Sequence, residues 1–328
     1  LNTELKPILV TGASGFVGWH VARLLLEQGA MVHALVRPGS ALPGLPVRVF
    51  EGDLRDARSV QQAILGCGAV FHVAADYRLW VKNPEEMFET NVRGTSQLLE
   101  LASIEDVDKF VYTSTVGCIG IPNEGLGDET TPVDIHSMAG PYKQSKYLAE
   151  EAVLRIASQG FPAVIVNPTA PVGVRDAKPT PTGQVILDFL RGRMPAYLDT
   201  GLNIVDVEDV ARGHLLACEF GRPGERYILG GENLTLHEIF EVLSDISGRP
   251  APSLRLPYGV AMAFARLGSA VAAITGKAPR ASVDAVRMAR KKMFVSSAKA
   301  ERELGYTASS AREALSRAVQ WYQENGYR

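Results

Sequence analysis

Tyr142 and Lys146 stand four residues apart in Tyr-Lys-Gln-Ser-Lys, so on a helix both side chains project from one face. A lysine cation beside a phenol stabilises the phenolate and lowers its pKa towards the range of general acid/base catalysis. Such chemistry also needs a group that holds the reacting oxygen. Ser114 and Thr115, after the apolar run 110–113, both offer a hydroxyl, and the threonine methyl restricts its rotamer. Far upstream, Gly12, Gly15 and Gly18 fall at three-residue spacing between the apolar run 8–10 and a helical pattern over 19–29. Glycine permits a sharp turn whose bare N–H groups approach a pyrophosphate, and the helix behind adds a positive dipole end. The turn, with Ser14, Phe16 and Val17, is a dinucleotide-binding candidate; its spacing exceeds G-x-G-x-x-G by one residue, and the alternative is a strand-to-helix turn without ligand.

These residues need a sheet to converge. Strands are expected over 31–36, 47–51, 70–75, 110–113 and 163–166, alternating with helices over 57–65, 84–103 and from 142. That alternation predicts an α/β fold: a Rossmann-type doubly wound parallel sheet with a smaller, interleaved, mainly helical substrate domain. The expected boundaries are 1–174 and 202–230 for the dinucleotide-binding part, and 175–201 and 231–328 for the substrate part. Ligands in such sheets bind beyond the carboxyl ends of strands. Arg37 ends the second strand, where an arginine accommodates a 2′-phosphate, so NADP(H) is favoured and NAD(H) stays possible. Asp53, followed by Leu54, either accepts a hydrogen bond from adenine or caps the helix at Ala57. Ala74 and Ala75 are small enough for a cofactor to pass over them. His72, within an apolar run, reads as a satisfied core histidine.

Net charge is −2, from 34 basic and 36 acidic side chains, which gives no footprint for nucleic acid. Cys67, Cys118 and Cys218 lie far apart without metal-ligand spacing, and their odd number argues against a disulfide framework. With no basic-then-apolar leader, a cytoplasmic location is expected. Residues 260–275 are apolar but too short and interrupted to span a bilayer. They read as a buried or lid helix, or as a surface that meets a membrane or a greasy substrate.

Residues 11–18, Gly52-Asp53-Leu54, residues 72–75, Asn91, the Tyr142/Lys146 pair and Asn167-Pro168 together resemble the extended short-chain dehydrogenase/reductase superfamily, of the epimerase/dehydratase type. More narrowly, residues 72–80, 178–183, 192–203, 224–235 and 288–306 are similar to hopanoid-associated sugar epimerases, often labelled dihydroflavonol-reductase-like. The resemblance implies that Tyr142 is the acid/base, that Lys146 holds the nicotinamide ribose, and that Thr115 or Ser114 binds the reacting oxygen. Asn91, Thr113, Asn167 and Pro168 join the implied cofactor site. Tyr77, Thr182, Arg193 and Arg290 are substrate candidates, with Arg290 and Arg193 able to clamp a diphosphate unless the run 290–292 is a solvated helix face. A homodimer through helices 84–103 and 142–157 is implied. Asp206 stands where relatives usually carry histidine. The implied activity is hydride transfer at a secondary alcohol or ketone carbon, by a sugar epimerase or by an NADPH-dependent ketone or aldehyde reductase. A non-catalytic NADP(H) sensor is the reading from another class.

Overall fold

A computed structural model describes residues 6–122, 124–275 and 282–327. Along the chain run β1 (Ile8–Thr11), α1 (Phe16–Glu27), β2 (Val32–Val36), β3 (Arg48–Glu51), α2 (Ala57–Ile64), β4 (Ala69–His72), α3 (Pro84–Phe88), α4 (Gly94–Ile104), β5 (Lys109–Thr113), α5 (Gly140–Ala157), β6 (Ala163–Pro168) and β7 (Ala170–Val172). There follow α6 (Pro181–Leu190), β8 (Ala196–Tyr197), β9 (Gly201–Asp206), α7 (Val207–Phe220), β10 (Arg226–Leu229), β11 (Glu232–Thr235), α8 (Leu236–Ser247), β12 (Leu254–Arg255), α9 (Tyr258–Thr275), α10 (Val283–Met288), α11 (Ala298–Leu304) and α12 (Ala311–Glu324).

Seven strands form one parallel sheet in the order β10-β6-β5-β4-β1-β2-β3. The order reverses between β1 and β4, which opens a crevice over their carboxyl ends, where such sheets bind ligands. Val10, Val21, Val111, Val210 and Tyr227 pack one face under α1, α7 and α11. Leu9, Val70, Leu98, Phe110 and Val153 pack the other under α2, α4 and α5. Such apolar burial on both faces is what the unbroken hydrophobic strands require. A third core, with Ile186, Phe240, Leu315 and Tyr322, joins α6, α8 and α12 to β7 and β9. Its three-stranded sheet runs β11-β9-β7, so the strands that follow β6 and β10 in the chain also support this core.

Two boundaries differ from the expectation in ways that matter for the site. β4 ends at His72, and residues 73–75 leave the sheet as a loop. The helix expected over 84–103 is continuous but contains a π turn, Glu89–Arg93, between α3 and α4. A π turn inserts one residue into the ladder and re-aims its neighbours. Asn91 sits in it.

Candidate active site

The glycine turn is held by close packing. Gly12 has φ +73, and a Cβ there would lie 2.8 Å from the Ala74 backbone; one on Gly18 would lie 2.2 Å from the Gly12 carbonyl. Ser14 and Gly15 crest the turn and are exposed. α1 begins at Phe16 with Val17 next, without a side-chain cap and without an acid in its first turn. Its leading N–H groups are left for an anion. This cradle fits the pyrophosphate of a dinucleotide.

Behind the turn, hydrogen bonds run in one direction. The Thr95 hydroxyl donates to the Asn91 carbonyl at 2.6 Å, so it can only accept from His72 Nε2 at 2.8 Å. Burial drives His72 down to about 3, which leaves the ring neutral and its Nδ1 an acceptor for the Thr11 hydroxyl at 2.8 Å. The Ala74 N–H in turn donates to Thr11 Oγ1. His72 is thus a strut joining the glycine turn to the π turn, not a catalyst. Asn91 spends its amide on protein: Oδ1 accepts from the Asp76 N–H, and Nδ2 donates to the Asp76 carbonyl and to Ser145 Oγ. It fixes the loop after β4 against α5. Ala75 lies between these anchors.

Arg37 is exposed beyond β2, and its guanidinium has no hydrogen-bond or ion-pair partner among the described residues. Its charge nonetheless reaches Asp53, Asp76 and Tyr77, so the ends of β2, β3 and β4 meet around it. Asp53 does not cap α2. Both of its oxygens accept from Arg55 at 2.8 Å, which holds the carboxyl below its usual range, and Asp56 is the cap instead. The following Leu54 is buried against Gly94, and its carbonyl accepts from Gln97.

Tyr142 and Lys146 lie on α5 as their spacing requires, but the lysine does not act on the phenol in this conformation. The Lys146 ammonium, 2% exposed, donates to the Thr113 carbonyl at 2.7 Å and lies 4.2 Å from the centre of the Tyr112 ring. Burial lowers it to about 8. The same burial pushes Tyr142 up to about 12, with the Thr115 hydroxyl pulling the other way. The expected lowering of the phenol is therefore corrected: desolvation outweighs a cation held elsewhere. Thr115 is the hydroxyl that faces Tyr142. Ser114 is buried and faces Glu150 and Cys118. Thr113 gives its own hydroxyl to His214 Nε2, whose Nδ1–H donates to Val210 O.

Sequence spacing alone had a further residue to offer. Glu150 continues the four-residue step from Tyr142 and Lys146, is 1% exposed, and has its carboxyl raised by burial. Asn167 Nδ2 donates to Glu150 Oε2 at 2.9 Å and to the Thr115 carbonyl at 3.1 Å, and Arg226 pairs with Glu150 Oε1. Glu150 and Asn167 therefore set the backbone of Thr115; buried Pro168 follows them at the end of β6. Asp206, unusual by the resemblance, caps α7 and pairs with Arg317 of α12, a joint between the two halves.

The substrate candidates separate. Tyr77 is felt by Tyr142, Asp76 and Asp176, so it stands at the mouth between the halves. Thr182 opens α6 beside Gly183, whose space is filled by Asp176 and Tyr322. Arg193 is exposed past the end of α6. Arg290 stacks on Tyr258 at 6.0 Å in a cleft of about 310 Å³ lined also by Asp199 and Arg255. Among the described residues no contact joins either arginine to Tyr142, Thr115 or Tyr77. Nor is 290–292 a helix face: it follows α10, Lys291 reaches the Ile121 carbonyl, and Lys292 pairs with Asp199.

The chain has relatives among known proteins. A Synechocystis protein bearing the name dihydroflavonol 4-reductase is 46% identical over 97% of this chain and 95% of its own. Sterol demethylase protein B of Methylococcus capsulatus is 35% identical over 97% and 98%. The crystal structure of a nucleoside-diphosphate-sugar epimerase from Pseudomonas aeruginosa superposes with a TM-score of 0.82 at 27% identity, covering 99% of both chains. The model of the NAD dependent epimerase/dehydratase family matches residues 8–230, across the glycine turn, the Tyr142/Lys146 helix and β10. The match spans more than half of the chain: it belongs to the NAD-dependent epimerase/dehydratase family of extended short-chain dehydrogenases/reductases, which are NAD(P)-dependent enzymes.

Proposed function

We propose that the protein is an NADPH-dependent reductase of a ketone or aldehyde on a largely apolar substrate. The observation that carries this reading is Arg37, an unpaired guanidinium where the strand ends of β2, β3 and β4 meet. An arginine there accommodates a 2′-phosphate, and a reductase must exchange its spent cofactor. Gly12, Ser14, Gly15, Phe16, Val17 and Gly18 would hold the pyrophosphate, Lys146 the nicotinamide ribose. When bound, the cofactor supplies a hydride to the carbonyl carbon. Tyr142, protonated at neutral pH, gives its proton to the carbonyl oxygen, while Thr115 donates a hydrogen bond to the same oxygen and steadies the developing charge. The names given to the relatives in Synechocystis and Methylococcus, which refer to a dihydroflavonol and to a sterol, support an apolar substrate.

Fluorescence titration with the four nicotinamide dinucleotides tests it. NADPH should bind at least about tenfold more tightly than NADH, a difference of about 1.4 kcal/mol. Tightly retained NAD(H) would sink the reading and favour an epimerase that keeps its cofactor through a double hydride transfer. That second reading has one observation in its favour, the paired Arg255 and Arg290 of the 310 Å³ cleft, a cationic place for a diphosphate. Nothing in the geometry supports a tie to hopanoids.

A further inference from the structure

α9 buries Ala261 and Ala265 against Val286 of α10 and turns an apolar side to solvent. Val260, Phe264, Leu267 and Val271 recur at steps of four, three and four, which aligns them in one stripe on a helix of 18 residues, about 27 Å long. Phe264 is 67% exposed and Leu267 65%, with Val260 and Val271 near half. Leaving such side chains in water forgoes the stabilisation that burial would give. The helix is not a span: no helix of the described residues is long and apolar enough to cross a membrane.

The charge around the stripe says what covers it. α9 contains no acid, and its one charge is Arg266. Arg255 and Lys292 share the single carboxylate of Asp199, and Arg287 pairs with Asp284. Arg266 and Arg290 have no acidic partner among the described residues. A second copy placed on this face by a two-fold axis would bring the same cations together, which is unfavourable. An anionic lipid surface matches both the apolar stripe and the surplus positive charge.

We propose that α9 is an interfacial helix by which the protein docks on an anionic bilayer, with Val260, Phe264, Leu267 and Val271 in the acyl boundary and Arg266 and Arg290 against lipid phosphates. α10, on which α9 packs, adjoins the site. Asp284 of α10 lies against Gly140, two residues before Tyr142, so closely that a Cβ on that glycine would be 3.0 Å from its carboxylate. This extends the apolar-substrate reading above, placing the substrate in the membrane, yet vesicle binding is measured without turnover and stands or falls apart from it.

The test is flotation of the full chain with vesicles of phosphatidylcholine alone and with about one third phosphatidylglycerol. Binding to the anionic vesicles should exceed binding to neutral ones by about tenfold or more and weaken in about 0.5 M salt. The double variant Phe264→Glu/Leu267→Glu should lose it while keeping the parent's thermal midpoint and NADPH affinity, which shows an intact fold. Arg266→Glu should weaken anionic binding without that loss on neutral vesicles. Equal flotation of parent and double variant, or none by the parent, overturns the proposal. So does a change from dimer to monomer on making the double variant, read by sedimentation, because the stripe then lies between copies.

Discussion

Behind the glycine turn and at the end of β5, Thr11, His72, Thr95, Asn91, Thr113 and His214 all hydrogen-bond within the protein itself. At the rim of the other half, Arg193 and Arg290 are exposed, and α9 shows its apolar residues to solvent. Committed groups cannot adapt, so the first region presents one fixed arrangement. Uncommitted ones are free to change partners. The contrast also predicts where substitution hurts.

The largest effect belongs to Tyr142→Phe, which removes the proton donor: kcat should fall by about 10²–10⁴-fold with cofactor affinity kept. Unchanged turnover would break the assignment. Thr115→Val should cost turnover in the same direction, whereas Ser114→Ala should act on stability alone; the reverse result would exchange the two hydroxyls. Next comes the turn, where Gly18→Ala pushes a Cβ to 2.2 Å from the Gly12 carbonyl. Overpacking of that kind costs about 1–3 kcal/mol and should abolish cofactor binding before it unfolds the chain.

Acid should expose the committed region as well. His72 and His214 are held at about 3 and about 4 in the fold, against about 6.5 when unfolded. Below 6.5 the unfolded chain therefore binds more protons, so their contribution is full near pH 7 and is lost as pH falls towards 4. Thermal midpoints measured across that window should drop, by an amount on the order of a few kcal/mol in stability by pH 4. A flat profile would sink the strut assigned to His72. Smaller still is Arg37→Ala, expected to weaken NADPH by about tenfold and leave NADH unaltered. The smallest is Arg193→Ala, within about 0.5 kcal/mol in stability, by denaturant titration; a large loss of turnover would instead return that arginine to the site.

The same contrast governs what the sequence made legible. Local signals were enough for the glycine turn, the strand rhythm and the Tyr142/Lys146 face, because each depends on residues a few positions apart. The π turn was not legible, since its cause is long-range: Asn91 is drawn to Asp76 and Ser145 on other elements. The choice between Ser114 and Thr115 likewise depends on Glu150 and Asn167 behind them. Asp53 and Asp56 are both plausible caps by type, and only the position of Arg55 decides between them. The basic run 290–292 looked like a unit because it is contiguous, yet its members part to three different partners.

One feature of the sheet bears on how the chain is made. β10 closes the edge beside β6, but between them the chain builds β7, α6, β8, β9 and α7. During synthesis β6 therefore emerges with its outer edge unpaired and stays so until residue 229 is available. Arg226 then brings a cation to buried Glu150 as the last strand docks. A ribosome paused between these two strands would hold an open, aggregation-prone edge, which makes that interval the point where a chaperone has most to protect.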